Sequence, residues 1–170
     1  MEYIIPNKEK HKFVIGIDFG HGETSADICN IQWDESYLKL VAPEPIEIFN
    51  GVPAIKSVLL IEIIEGQTQY YIGQQAINRY SNPRSHTQTN SFSFHSYFKK
   101  VPSKMSIKER EIMCTFMAQV YQQIRRQRQE LTDSNHVVYI ACPSNSEKWT
   151  DNELRLYADI ALEAGIPLAK

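Results

Sequence analysis

The sequence has little that would mark a metal, membrane or secreted protein. Its three cysteines, Cys29, Cys114 and Cys142, lie far apart and form no CxxC pair. Each sits in an apolar stretch, so each reads as a small buried hydrophobe. An odd cysteine count without a secretion signal fits a reducing compartment, and a cytoplasmic location is expected. The five histidines show no HxxxH or HExxH spacing, which leaves no zinc site to propose. No stretch approaches the roughly 20 consecutive apolar residues of a membrane span. Residues 1–12 are polar and charged and do not read as a signal peptide. There is no internal repeat and no low-complexity tract. Neither GxxxxGKS nor GxGxxG occurs, so the P-loop and Rossmann readings lack support.

What is present is ordinary. The 170 residues suit one domain or one lobe of a larger one, and 42% hydrophobic with 22% charged residues can build a sizeable core. A net charge of −2 gives no global pull towards nucleic acid or an anionic membrane, and neither is expected as a partner. Arg125, Arg126 and Arg128 cluster at a helix end, where cations suit the helix dipole and no aromatics interleave them.

Phe13 to Asp18 reads as a short buried strand. Thr24 to Trp33 has β character again, and the glycine turn between the two predicts a hairpin. Tyr37 to Val41, Ser57 to Ile64 and Thr68 to Ile72 read as further strands, and Ile46 to Phe49 as a short extended piece before Asn50-Gly51. Gly73 precedes a short helix over 74–80. Residues 81–90, with Pro83, read as a loop.

Ser106 and Glu109 have capping-box spacing at the start of a long helix over 107–131. Ile112, Met113, Phe116, Met117, Val120 and Ile124 form its apolar stripe. His136 to Cys142 reads as a buried strand. A second capping box, Thr150 with Glu153, opens a helix that Gly165 stops. Trp149 reads as a staple at that helix start. The order of strands, long helix, strand and helix is an α/β layered arrangement with a crossover onto the sheet.

The chemistry concentrates in Ile15-Gly16-Ile17-Asp18-Phe19-Gly20-His21-Gly22-Glu23-Thr24-Ser25. A strand delivers Asp18 to a turn. Gly20 and Gly22 let that turn bend sharply and approach a ligand closely. Successive N–H groups in such a turn can form an anion-binding nest. A carboxylate beside it can hold hydrated Mg²⁺, which neutralises phosphate charge. The same pattern also describes a plain hairpin turn carrying a surface acid.

Residues 15–28 resemble the first phosphate-binding segment of the actin, sugar-kinase and heat-shock-chaperone superfamily. Four further segments follow in that superfamily's order. Val52-Pro53-Ala54-Ile55-Lys56-Ser57-Val58 resembles the chaperones' Pro-Ser-x-Val strand start. Tyr71-Ile72-Gly73-Gln74-Gln75-Ala76 resembles their Ile-Gly-x-x-Ala helix start. Val137 to Pro143 resembles a strand ending in Val-Pro, and Ala161 to Ile166 resembles the Ala-Gly-Leu/Ile after the next helix. Small Ser25, where actins and sugar kinases usually carry Lys or Arg, favours the DnaK-type chaperone branch.

The resemblance implies a ribonuclease H-like actin-type ATPase lobe, a mixed β-sheet with flanking helices. A tail over 1–12 would precede that lobe at 13–170, with a peripheral subdomain around 35–110. It implies ATP or ADP with Mg as cofactors. Asp18 would hold Mg through water, and Gly20, His21, Gly22 and Glu23 would contact the phosphates. Client polypeptides would bind through a domain absent from this chain. A small-molecule kinase of the same fold and a non-hydrolysing scaffold or filament protein are the alternatives.

Three departures bear on activity. His21 and Gly22 stand where these chaperones carry two hydroxyl residues, so side-chain contacts to phosphate are lost; His21 can donate to a phosphate oxygen or simply stand exposed. A gapless comparison of Phe92 to Lys100 puts His95 at the catalytic lysine position, and a small register change brings Lys99 or Lys100 there. The alternative is that Phe92, Phe94, Tyr97 and Phe98 are packing residues and His95 is incidental. The segment from Pro143 to Trp149 is slightly longer than its chaperone equivalent. No Asp-x-Gly-Gly-Gly hairpin of a second lobe occurs, and the chain reaches Lys170 where the family continues into the next strand. A C-terminal truncation, ATPase activity only in a longer parent and weak or no ATP binding by this chain are expected.

Overall fold

Val14, Ile15, Ile17 and Phe19 are buried along β1 (Phe13–Phe19), whereas Gly16 and Asp18 are exposed, so this strand turns its apolar side chains into the core and its acid outward. The computed structural model describes residues 3–34, 38–82, 89–97, 99–143 and 147–169. Tyr37, Pro83, Phe98, residues 144–146 and Lys170 lie outside the described residues.

β1 pairs antiparallel with β2 (Glu23–Trp33), which puts Asp18 opposite Ser25 and Phe19 opposite Thr24. On its other edge β1 runs parallel to β8 (His136–Ile140). β3 (Leu38–Pro45) lies outside β2, and β4 (Ala54–Lys56) pairs with Glu23, Thr24 and Ser25 of β2. The main sheet therefore runs β3-β2-β1-β8, with β4 at the hairpin end. It is extended beyond β8, where Leu168 pairs in parallel with Val138, and Ile4 with Ala169. The Ile4 N–H donates to the Leu168 carbonyl at 2.7 Å, which ties Ile4 to this edge of the sheet.

A second, antiparallel sheet has β5 (Val58–Ile64) between β6 (Gln67–Ile72) and β7 (Thr89–Ser96). α1 (Gly73–Ser81) follows β6 directly.

α2 (Ile107–Gln127) supplies most of the helical core. Its buried stripe comprises the six apolar residues of the sequence pattern together with Tyr121. Phe116 meets Phe19 edge-on with ring centroids 6.4 Å apart, joining helix to sheet. Truncating a buried Phe of this kind costs about 3–5 kcal/mol. The Ser106–Glu109 capping box is formed: Ser106 Oγ accepts from the Glu109 N–H at 3.3 Å, and the Ser106 N–H donates to Glu109 Oε2 at 2.8 Å. α3 (Asp151–Glu163) ends before Gly165, whose φ of +80° favours glycine.

The structure corrects the sequence reading in six places. β4 and β7 are strands where none was expected; β7 begins inside the stretch read as a loop, because Phe92 and Phe94 alternate with serines whose polarity masks a half-buried strand. β3 continues past Val41 to Pro45. α2 stops at Gln127, and the chain then folds back so that Leu131 reaches the core. Thr150 makes no capping hydrogen bond, and the Glu153 carboxylate, which would complete the box, accepts instead from the Ser103 N–H at 2.9 Å. Cys142 is exposed and Cys29 and Cys114 half-buried; Cys142 lies past the end of β8, beyond the cover of the core.

Ile46 and Ile48 are fully buried without being strand, held by the Ile46 N–H to the Ala26 carbonyl at 2.7 Å. Two residues of the basic cluster are ion-paired. Arg125 meets Asp133 at 2.7 Å, and Arg128 meets Glu44 at 3.7 Å and Glu130 at 2.6 Å. No helix among the described residues is long and apolar enough to cross a membrane.

Candidate functional site

The hairpin turn after β1 is shaped by one glycine above all. A Cβ on Gly20 would sit 2.2 Å from the Glu23 carbonyl oxygen, a separation no side chain tolerates, while one on Gly22 would meet nothing within 4 Å. Gly20 is thus required by close approach within the turn itself. Three hydrogen bonds fix the turn from outside. The Ser57 N–H donates to the Gly22 carbonyl at 3.0 Å. Ser57 Oγ donates to the Gly20 carbonyl at 2.8 Å. Ser57 Oγ also pairs with Thr24 Oγ1 at 2.9 Å, in a buried contact. The N–H groups of His21 and Gly22 donate to no protein acceptor among the described residues. Unpaired amides in a turn carry partial positive charge and can accept an anion.

Asp18 lies one residue before the turn's start and shares an exposed face with Gly16, Ser25 and Asp27. These residues, with Tyr139, Ile140 and Ala141 beyond them, line an open cavity of about 340 Å³. The Ala141 N–H donates to the Ile17 carbonyl at 2.8 Å and carries the β1–β8 pairing one residue past the strand end. No hydrogen bond or ion pair engages the Asp18 carboxylate among the described residues. A free carboxylate fits Mg²⁺, which usually keeps its waters and takes one or two protein carboxylates rather than a dedicated cage. No group of three or more His, Cys, Asp or Glu side chains able to hold a metal occurs among the described residues.

The two candidate catalytic residues lie in different surroundings. His95 sits on β7 opposite Leu59, and its Nε2 pairs with Ser93 Oγ at 3.0 Å. Burial, with the charge of Lys108, holds its imidazole below the usual histidine range, so it is neutral at pH 7. Nothing links it to Asp18 among the described contacts. Lys99, past the end of β7, is within electrostatic reach of Asp18. Burial pushes its ammonium below the usual lysine range, while the charges of Asp18 and Cys142 pull it back up. Its Nζ lies 5.3 Å from the centroid of the Tyr157 ring, a cation–π distance.

His21 is exposed and lies against Tyr97, ring centroids 5.2 Å apart. Glu23 pairs through its carboxylate with Lys56 at 2.7 Å, which leaves its backbone rather than its side chain for an anion. A more apolar cavity of about 250 Å³ lies beyond that pair, lined by Phe49, Val52 and Ile55 among others. Among the described residues its only charged lining groups are Glu23 and Lys56, which neutralise each other and leave no free charge for a phosphate there.

Asp18 and the turn thus lie together at the end of β1, Lys99 is near enough to feel the charge of Asp18, and His95 stands in the second sheet. Two residues of this arrangement escaped the sequence reading. Ser57 reads only as the first residue of a strand, with nothing nearby in sequence to link it to the turn. Tyr157 sits on α3, where nothing in the sequence separates it from other core aromatics.

No protein-family model matches the sequence, and no curated protein matches it. Solved structures do. MamK, as a non-polymerising A278D mutant bound to AMPPNP, superposes with a TM-score of 0.52 at 16% identity, covering 95% of this chain and 40% of that one. MreB5 of Spiroplasma citri bound to ADP gives a TM-score of 0.49 at 15% identity, covering 93% of this chain and 37% of that one. At such identity the likeness to MamK speaks for the fold alone. The chain has the ribonuclease H-like fold of an actin-type ATPase lobe, a mixed sheet with flanking helices, and spans less than half the length of the MamK chain it matches.

Proposed function

We propose that this lobe supplies the first phosphate-binding hairpin of an ATP-binding protein. The observation that carries the reading is the juxtaposition of an unpaired Asp18 carboxylate with the free N–H groups of His21 and Gly22 at the end of β1. In an actin-type lobe that strand end is where a nucleotide's phosphates would be met, and the MamK structure was solved with AMPPNP. The turn amides from Gly20 to Glu23 contact phosphate oxygens. Asp18 holds Mg²⁺ through water, and the ion supplies neutralisation of phosphate charge. Lys99 rather than His95 is the cation beside the site, because it reaches Asp18's field and His95 does not. The second sheet, with α1, forms a peripheral subdomain.

The ordered motifs along the chain support a DnaK-type chaperone, and client polypeptides would then bind outside this chain. The likeness to MamK favours the filament or scaffold reading instead. His21 and Gly22, which bring no hydroxyl to the phosphates, fit slow or absent hydrolysis and so favour the scaffold.

The test is an NMR titration of the chain with Mg·AMPPNP up to millimolar concentration, tracking the backbone amides of residues 20–23. Magnesium-dependent shifts confined to that turn and lost in Asp18→Asn are the expected result. Absence of any such shift, or identical shifts in the variant, overturns the reading.

A further inference from the structure

Ser57 is 4% exposed and occupies the single residue between β4 and β5. From there it reaches across 33 to 37 positions of sequence to the turn. A buried serine is commonly explained as a satisfied polar group in the core. Its partners here are more specific than that. Its N–H takes the Gly22 carbonyl and its hydroxyl takes the Gly20 carbonyl, so two alternate carbonyls of one turn are bound by one residue.

Peptide planarity gives this pattern a consequence. In a trans peptide the C=O of one residue and the N–H of the next point in opposite directions. Drawing the Gly20 carbonyl onto Ser57 therefore directs the His21 N–H away from Ser57. Drawing the Gly22 carbonyl does the same for the Glu23 N–H. Glycines at both carbonyl positions would otherwise let these peptides rotate freely. The hydroxyl of Thr24 closes the arrangement, since its contact to Ser57 Oγ leaves the serine proton aimed at Gly20.

We propose that Ser57 is the positioning residue of the phosphate turn, a two-point clamp that presets the His21 and Glu23 amides in the direction an anion is received. The role of the turn rests on the phosphate-binding reading above; the clamp itself does not. Preorganised amides bind a phosphate without a reorganisation cost at the moment of binding.

Two variants separate a clamp from mere packing. Ser57→Ala frees the Gly20 carbonyl and breaks the Thr24 contact, but keeps the backbone bond to Gly22. Thr24→Val breaks the same side-chain contact and leaves the Ser57 bond to Gly20. Amide order parameters of His21 and Glu23 are measured without nucleotide. In Ser57→Ala that of His21 is expected to fall from the rigid value of about 0.85 towards 0.6 or below, while that of Glu23, still held through the backbone bond to Gly22, stays rigid; in Thr24→Val both stay rigid. Mg·AMPPNP affinity, measured by the same titration, is expected to weaken about tenfold in Ser57→Ala, the loss of roughly one charge-assisted hydrogen bond. Equal loosening in both variants, or a rigid turn in both, overturns the clamp. If wild-type protein binds no nucleotide while Ser57→Ala alone loosens the turn, the clamp stands and the phosphate reading fails.

Discussion

The ammonium of Lys99 lies over the face of Tyr157 at 5.3 Å from the ring centroid. Tyr157 is fully buried, its ring is met edge-on by Trp149 at 5.5 Å, and its hydroxyl has no hydrogen-bond partner among the described residues. Burial, reinforced by Cys142 and Asp18, pushes that phenol far above its usual range, so it stays protonated. The ring holds Lys99 and the unpaired hydroxyl costs stability. Tyr157→Phe keeps the ring and removes the hydroxyl, and is expected to stabilise the chain by about 1 kcal/mol. Tyr157→Leu loses the ring as well and should destabilise by about 2 kcal/mol. Urea unfolding at neutral pH checks both; a Phe variant less stable than wild type would mean that the hydroxyl has a stabilising partner.

Lys99 and His95 make different predictions for binding. A lysine amine beside Asp18 adds a positive charge where phosphate arrives, and a charge-assisted bond of that kind contributes about 1.5–3 kcal/mol. Lys99→Met should therefore weaken Mg·AMPPNP binding by about tenfold or more. His95→Ala should change it by less than about twofold, since His95 is occupied by Ser93 in the second sheet. The titration used for Asp18→Asn measures both, and a larger effect at His95 would reverse the assignment.

The elements that the sequence revealed are those whose signals are local. The buried stripe of α2, the Ser106–Glu109 box and the Asp18 hairpin follow from spacing a few residues apart. What stayed hidden depends on residues distant in the chain. β4 has only three residues and becomes a strand because Glu23, Thr24 and Ser25 are there to pair with it. Thr150 and Glu153 have the spacing of a cap, yet Ser103 competes for the Glu153 carboxylate from another part of the chain. Lys99 could not be preferred over His95 by counting along the sequence, because β7 carries His95 to the second sheet and releases Lys99 only after it ends. Ser57 follows the same rule, since its partners stand more than thirty residues away.

The two turn glycines should respond oppositely to a single methyl group. Gly20→Ala places a Cβ 2.2 Å from the Glu23 carbonyl, and backbone on both sides leaves little room to relax. It is expected to cost about 1–3 kcal/mol and to shift the amides of the whole turn. Gly22→Ala meets open space, and its φ lies outside the left-handed region, so less than about 1 kcal/mol is expected. Chemical denaturation with amide shift mapping compares them. Equal costs at the two sites would mean that the turn is not held in the conformation described.

His136 should make stability fall in mildly acidic solution. It is fully buried; Tyr121 Oη pairs with its Nε2 at 2.7 Å, and Asn135 Oδ1 lies 3.4 Å from its Nδ1. Burial lowers its pKa from 6.5 to about 4, opposed by a backbone hydrogen bond to Thr132 and reinforced by Arg125; Asp133 and His11 act in opposite directions from further away. Between those pH values the unfolded chain holds a proton on this histidine that the folded chain does not. Falling pH therefore favours unfolding: the contribution is intact above about pH 6.5 and is lost progressively down to about pH 4. Its full size is about 3 kcal/mol. Urea midpoints across that window should slope downward towards acid in wild type, and the slope should flatten in His136→Gln whatever that variant's absolute stability. An unchanged slope would assign the acid sensitivity to carboxylates such as Glu109, held at about 2 by Lys100 and Ser106, whose contribution to stability is lost progressively as pH falls from about 4.5.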